Sequence, residues 1–339
     1  MPPNVNITTT TNQYLAPSWV DQILRDNFFF GKILEKVERW NGSQMLQPIK
    51  YQQGVASVAF NGFDVLPINQ QPVSVNMTFY PTFVATNVAL AGSDLSVNRT
   101  QMQTLNLMTT MMESRAQDAA NDIGNFFQQD GSAYGGKAPM GLAGIVDNGT
   151  TLSSYGGLSR STYSGLNATV TASGGTISLL KTRQLWNSIS DGPVRPDTIL
   201  TTYDVWAYFE QLLQPFQLNT YTQPKNQQAG AGYTAEYWDG MEIFRDKKVA
   251  SGNFYFLNTD FLKFYGLKWW EGTSVSPRAK VIEGNVYEDS MYAPSAFTWT
   301  GWIKAYNQGA INGFMIMGGQ LVCIDPMRNG VLTGVTGTA

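Results

Sequence analysis

Residues 96–129, SVNRTQMQTLNLMTTMMESRAQDAANDIGNFFQQ, decide the fold. Met102, Leu105, Met108, Met112, Ala116, Ala119, Ile123 and Phe127 recur every three or four positions, which gathers them on one face of an α-helix. Ser96 or Asn98 offers a capping side chain, and Asp130-Gly131 ends the pattern. A helix over 98–129 would run on the order of 45 Å, several turns beyond the roughly eleven-residue mean of globular helices. Its run of Met102, Met108, Met111 and Met112 reads as an adaptable packing stripe, since the unbranched thioether fits irregular gaps.

Working outward toward the N-terminus, residues 41–95 alternate apolar and polar side chains, the period of a strand. YQQGVASVAF leads to Asn61-Gly62, and QPVSVNMTFYPTFVATNVAL returns. The expectation is a long antiparallel hairpin turning at Asn61-Gly62. A two-stranded ribbon is marginal alone in water, so it needs a surface to lie on. Before it come a Thr/Asn/Pro arm, Met1 to Pro17, and WVDQILRDNFFFGKILEKV. That segment reads as a short helix capped by Ser18 and broken near Gly31. The arm has too little apolar surface to fold alone and must stay loose or lie on a neighbour.

Toward the C-terminus, a Gly-rich connector spans 130–165, and none of its glycines has the spacing of a phosphate loop. Residues 174–190 read as a helix, 197–202 as a buried strand and 203–214 as a second helix ended by Pro215. The polar stretch 214–232 reads as an exposed loop. From Tyr237 on, MEIFRD, NFYFLN, FLKFYGLKWW, AFTWTGWIKAYN and NGFMIMGGQLVCID read as strands. The expected units are 1–40 (arm and short helix), 41–95 (hairpin), 96–172 (long helix and connector), 173–270 (compact α/β unit) and 271–339 (returning strands).

Composition narrows the chemistry. The chain has no histidine, which removes the commonest general base and metal ligand, and with it Ser/His/Asp triads and His-bearing zinc sites. One cysteine, Cys323, rules out an internal disulfide, and its LVCI setting reads as a small buried hydrophobe. Charged residues make up 14%, against roughly 25% in an average soluble protein, and aromatics 13% with nine Trp. A net charge of −3 gives no basic footprint for tight nucleic-acid binding. No basic region followed by an apolar run opens the chain, and no apolar stretch reaches about eighteen residues, so neither a signal peptide nor a membrane span is expected.

The order of arm, short helix, ribbon, very long helix, connector, α/β unit and returning strands resembles the major capsid proteins of tailed bacteriophages, the Hong Kong 97 fold family. Five short motifs are similar in order: YLAPSW at Tyr14–Trp19, GLAGI at Gly141–Ile145, YGGLSR at Tyr155–Arg160, PDTIL at Pro196–Leu200 and FYFLN at Phe254–Asn258. The resemblance implies an α+β fold with N-terminal arm, extended β-hairpin (E-loop), spine helix in a peripheral domain and a compact α/β axial domain. It implies a structural protein without cofactor, self-assembling as hexamers and pentamers into the icosahedral shell of a virion built in the host cytoplasm. Packaged DNA would be touched only non-specifically. Because the sequence opens at Met1 on the arm, the resemblance implies a separate scaffolding protein or none, with a portal and a decoration protein as further partners. The expected assembly contacts are Tyr14, Pro17, Trp19, Lys50, Phe60, Phe63, Arg99, Arg115 and Arg160. Some members join an E-loop lysine to a neighbour's asparagine; Lys50, the one ribbon lysine, otherwise reads as a solvated charge or interface salt bridge. With no histidine, any acid-triggered expansion would have to run on carboxylates such as Glu113, Asp118 or Asp122.

Two other readings compete. A secreted or surface glycan-binding module would use the Trp/Tyr density, above all Trp269 and Trp270 beside Glu271, and acceptor triplets at Asn6, Asn76, Asn98, Asn148 and Asn167. A histidine-free glycosidase would need paired carboxylates such as Glu236 with Asp239, or Glu271 with Glu283.

Overall fold

The computed structural model describes residues 11, 15–34, 37–52, 54, 57–64, 72–97, 100–217, 237–270, 272–275, 296–306 and 308–336. Helix α1 (Ala16–Asp26) carries Pro17 in its first turn, where the absent N–H would have had no partner in any case. Ser18, expected as the cap, lies inside this helix. The break before α2 (Phe28–Leu34) falls at Asn27, not near Gly31. The Asn27 amide turns inward, donating to Ile23 O at 2.9 Å and to Ala120 O at 2.7 Å.

Strands β1 (Glu38–Arg39), β2 (Met45–Lys50), β3 (Ser74–Phe79) and β4 (Thr82–Ala91) follow. The ribbon is β2 against β3, antiparallel, with Met45 opposite Phe79 and Lys50 opposite Ser74. It is shorter than the alternation over 41–95 implied, because β4 leaves it and pairs with a strand more than two hundred residues away, Ala91 opposite Ala310 and Thr82 opposite Gly319. Alternation reports a half-buried strand but says nothing of its partner.

After the short helix α3 (Gly92–Val97) comes the long helix α4 (Gln101–Gln128), about 42 Å from end to end. It starts three residues later than expected. The cap is Thr100, extended at φ −82° and ψ 144°, whose side chain accepts from Gln103 N. Ser96 belongs to α3 and donates to Gly92 O, and Asn98 lies outside the described residues. The apolar stripe holds from Met108 to Phe127, buried throughout, whereas Met102 is 71% exposed. At its C-terminal end Phe30 stacks on Phe127, ring centroids 3.7 Å apart, and Phe264 meets both rings edge-on.

One turn before the C-terminal end of α4, Gly124 makes room for a three-way junction. Lys248 Nζ donates to Asn27 Oδ1 at 2.6 Å and to Ala120 O at 3.0 Å, and a Cβ on Gly124 would lie 2.0 Å from that Asn27 oxygen. In an open helix Gly124→Ala would gain up to about 1 kcal/mol of propensity. Here the substitution should instead destabilise by about 1–3 kcal/mol, because it overpacks hydrogen-bonded neighbours. A thermal melt checks the sign, and a raised Tm would contradict the junction.

Past a single helical turn at Leu142–Ile145 come β5 (Ser154–Tyr155), β6 (Leu158–Ser159), β7 (Thr169–Thr176), α5 (Leu179–Ile189), β8 (Thr198–Thr201) and α6 (Tyr203–Gln217). The remaining strands are β9 (Tyr237–Trp238), β10 (Met241–Arg245), β11 (Phe254–Leu257), β12 (Leu262–Gly266), β13 (Thr273–Val275), β14 (Phe297–Trp299), β15 (Ile303–Lys304), β16 (Ala310–Cys323) and β17 (Gly330–Thr336). Residues 174–176, expected to begin a helix, complete β7 instead. Helix α6 runs past Pro215 to Gln217, and most of the expected loop 214–232 lies outside the described residues. Strand β17 was not anticipated.

Two sheets result. The larger follows the order β1-β12-β16-β14-β13, with β4 and β15 also on β16. Along β16, β4 covers residues 310–319 and β12 takes 319–323. Gly319 stands at the hand-over with φ +142°, where a Cβ would come within 2.3 Å of Tyr265 O, so only glycine fits. The second sheet has the order β7-β17-β11-β8-β10-β9. One face packs Ile199, Ile243, Phe254, Phe256 and Leu332 under Leu185 and Ile189 of α5 and Val205, Trp206 and Phe209 of α6. Alternate residues Leu200, Phe244, Tyr255 and Val331 face the main core with α4. Burial on both sides is why all four residues of β8, TILT, are shielded from solvent, the two threonines included.

Candidate assembly surface

The base of the ribbon rests on the subunit itself. Met77, Phe79 and Ile49 are buried on its inner face, Phe79 meeting Tyr155 edge-on at 5.3 Å, and Thr78 N donates to Gly156 O at 2.8 Å. Gly156 permits this approach: a Cβ there would sit 2.7 Å from Met77 Cβ, and its φ of +56° suits only glycine without strain. Farther out, Tyr51 packs edge-on against Tyr163.

Beneath this seat lies a buried polar pillar. The Arg160 guanidinium, on a residue 1% exposed, donates to four main-chain carbonyls: Asp147 O, Leu166 O at 2.6 Å, Gly144 O at 2.6 Å and Ile145 O at 3.4 Å. The Asp147 carboxylate accepts from the N–H groups of Gly149, Thr151 and Leu152. Burial alone would push this carboxyl up, but those N–H groups and the Arg160 charge outweigh it and hold it below the usual carboxylate range. The Tyr155 hydroxyl accepts from Cys323 N at 2.8 Å and donates to Cys323 O at 3.1 Å, locking the YGGLSR turn to β16. Burial raises the Tyr155 phenol well above its ordinary range.

Cys323 is buried as expected, its Sγ accepting from Asn329 Nδ2, and burial pushes its thiol up to about 12. A thiol reagent should find no reactive sulfur in the native subunit and one after unfolding. Rapid native labelling would contradict this placement.

Beyond its seat the ribbon is uncovered. Val58, Phe60 and Phe63 near the tip are 53%, 62% and 105% exposed, with Leu46 and Tyr80 at 52% and 64% nearer the base. Scattered exposed apolar residues are ordinary; a group of five on one protruding element is the mark of an interaction surface. Lys50 is exposed on the same ribbon, and no asparagine bonded to it occurs among the described residues.

The nine residues expected at contacts divide. Lys50, Phe60, Phe63 and Arg115 are exposed, Arg115 pairing with Asp118 at 3.1 Å on the solvent side of α4, where Glu113 and Asp122 also lie. Pro17 is half-buried. Trp19 and Arg160 must be corrected. Trp19 is 2% exposed, its ring 5.8 Å from Trp299, and Arg160 is the internal pillar. In both cases the side chain spends its surface inside the subunit, on a ring stack and on loop carbonyls respectively. Tyr14 and Arg99 lie outside the described residues. Thr11, within the expected arm, is buried and accepts from Trp302 Nε1 at 3.2 Å, so at this point the arm lies on its own subunit.

Some exposed residues went unread in the sequence. Leu46 and Tyr80 were legible as outward positions of an alternating ribbon. Tyr306, 99% exposed where β15 turns into β16, was legible only as an aromatic among turn residues. Trp269 packs edge-on on Phe83 and Trp270 is 80% exposed; Glu271, Glu236 and Glu283 lie outside the described residues. Among the described residues no group of His, Cys, Asp and Glu could hold a metal, and no helix is long and apolar enough to cross a membrane. A groove of about 500 Å³ between α1 and α4 is lined by Ser18, Asp21, Gln22, Thr110, Glu113, Ser114 and Gln117. It lacks the apolar walls typical of a small-molecule site.

Arm helix, seated ribbon, spine helix and a two-sheet body together define the Hong Kong 97-type capsid fold. The chain has this fold: its structure is similar over 92% of its length to 93% of a chain in the cyanophage A-1(L) capsid asymmetric unit, with TM-score 0.69 and 12% identity. It also matches the capsid of a native GTA particle (TM-score 0.54, 9% identity, 90% of each chain). A third match is the SrpI encapsulin of Synechococcus elongatus (TM-score 0.52, 10% identity, 91% of this chain and 88% of that one). No family model and no curated protein sequence matches the chain.

Proposed function

We propose that this protein is a major capsid protein that assembles, as hexamers and pentamers, into the icosahedral shell enclosing the double-stranded DNA of a tailed phage. One observation carries the reading: a ribbon seated on its own subunit at the base presents exposed Phe60 and Phe63 at its tip, within a fold that chains of capsid structures match over 90–92% of its length. An element that cannot be stable alone and leaves its apolar tip bare is suited to lie across a neighbour. Closed shells repeat a few such interfaces about symmetry axes. The role is structural, its functional residues being contacts, with Lys50, Phe60, Phe63 and Arg115 the exposed ones. A separate scaffolding protein and a portal are the expected partners, and the virion the expected location.

Electron microscopy of the expressed protein, alone and with the scaffold candidate from an adjacent gene, tests this reading. Rings or closed shells are expected. Light scattering that shows only a 37.4 kDa particle under all conditions would overturn it. Nuclease-protected double-stranded DNA in particles from the native source separates a phage capsid from a protein-filled cage. Binding on a glycan array would revive the surface-module reading.

A further inference from the structure

The chain contains five Asn-Gly pairs, at 41, 61, 148, 312 and 329, and the structure sets one apart from the rest. Spontaneous deamidation needs the amide nitrogen of the following residue to reach the asparagine side-chain carbonyl carbon, with glycine leaving the approach unhindered. At Asn61, exposed at the ribbon tip, Gly62 N donates to Asn61 Oδ1 at 2.9 Å. The carbon bearing that oxygen is then within one C=O bond length, about 1.2 Å, of the same separation. The turn is held in this form from both sides: Asn61 N donates to Asp64 Oδ2 at 2.8 Å, and Asp64 N donates to Asn61 O at 2.8 Å.

Three of the other pairs are engaged elsewhere. Gly149 N donates to Asp147 Oδ2, while Asn148 Oδ1 accepts from Thr150 N and Thr150 Oγ1, so nucleophile and carbonyl face different partners. Asn312 and Gly313 lie in the extended β16, in register with Ala89 and Val88. Asn329 is fully buried, its Oδ1 accepting from Asn258 N and its Nδ2 donating to Cys323 Sγ, with Gly330 paired in β17. Asn41 is exposed, but Gly42 is held in the left-handed region at φ +85° by a turn whose carbonyl accepts from Trp40 Nε1.

We propose that Asn61 is the spontaneous deamidation site of the folded protein. Hydroxide takes the Gly62 amide proton, the nitrogen bonds to Asn61 Cγ, and the side-chain amide leaves as ammonia with a proton from water. Water then opens the cyclic imide at either carbonyl, giving aspartate or an isoaspartyl linkage; one water is consumed, one ammonia released, and nothing is oxidised or reduced. The product adds a negative charge beside Asp64 and Phe63, and the isoaspartyl form also lengthens the backbone by one methylene at the tip.

Peptide mapping by mass spectrometry of the full chain, aged folded and aged in denaturant, tests this. In denaturant all five pairs should convert at similar rates. In the folded protein Asn61 should keep its rate while Asn41, Asn148, Asn312 and Asn329 fall at least about tenfold below it, the scale set by loss of attack geometry. Gly62→Ala is the second arm. Gly62 has nothing within 4 Å of a built Cβ and no positive φ, so the fold is kept, and conversion at Asn61 should drop sharply. Protection of Asn61 equal to that of the three engaged pairs, or a Gly62→Ala variant converting as fast as the parent, would overturn the proposal.

Discussion

On the proposed capsid reading, replacing Phe60 and Phe63 together by serine should leave a folded subunit that no longer closes into shells. Both rings sit in solvent in the isolated chain, at 62% and 105% exposure, so neither contributes to the subunit core. Burying each against a neighbour would be worth about 1.5–3 kcal/mol. Loss of both therefore weakens each contact by about 3–6 kcal/mol, or on the order of a hundredfold to ten-thousandfold in association. Because every subunit in a closed shell makes the same contact, the defect repeats around the particle. Thermal melting should be unchanged while microscopy and sedimentation show the loss of particles. Shells at the parental yield would remove the ribbon tip from the assembly surface.

Arg160→Met should have the largest effect on the subunit itself. The planar guanidinium satisfies carbonyls of Gly144, Ile145, Asp147 and Leu166 at once, none of which has water to turn to, and it faces the buried Asp147 carboxylate. Removing one partner from such a buried charged network costs about 3–5 kcal/mol. That is a large share of the roughly 5–15 kcal/mol that holds a domain together. Arg160→Lys should not restore it, since one ammonium cannot span carbonyls set for a flat fork. Denaturant unfolding reads this as a lower midpoint at unchanged slope, and a parental midpoint would refute the pillar. The sign of the pH dependence follows from Asp147. Its carboxyl is lowered in the folded state, so its stabilisation is present above the ordinary carboxylate range and is lost as pH falls through the lowered value. Arg160→Met should flatten that acid limb.

The spine helix was the part most fully legible in the sequence, because a 3.6-residue apolar period is a local property of the chain. Its stripe from Met108 to Phe127 is the buried face. Its start was misread by three residues, since Ser96, Asn98 and Thr100 all carry capping oxygens and only the backbone chooses among them. The ribbon's existence was legible and its extent was not: Thr82–Ala91 alternates just as Ser74–Phe79 does, yet joins β16. Of the expected contacts, Phe60 and Phe63 stood out as large apolar side chains beside a turn and are indeed exposed. Trp19 and Arg160, which lie in motifs similar to those of capsid proteins, were expected among the assembly contacts. Within those motifs Trp19, Tyr155 and Arg160 are buried, while Ser18, Gly157 and Ser159 are exposed.

By itself the sequence determined which side-chain chemistry this chain carries and what local pieces it has. Without histidine and with a single cysteine it has no Ser/His/Asp triad, His-bearing metal site or internal disulfide, while periodicity, turn residues and composition specify a spine helix, a ribbon and a sparsely charged surface. Only the tertiary structure decided which of these surfaces meet. Strand partners, the seat of the ribbon on Tyr155–Gly156 and the Arg160 pillar join residues up to hundreds of positions apart. Such contacts depend on the whole chain closing around them, and no local pattern encodes the distance between their ends. The difference between an aromatic that holds the subunit together, as Trp19 does, and one left bare, as Phe63 is, is set by that closure.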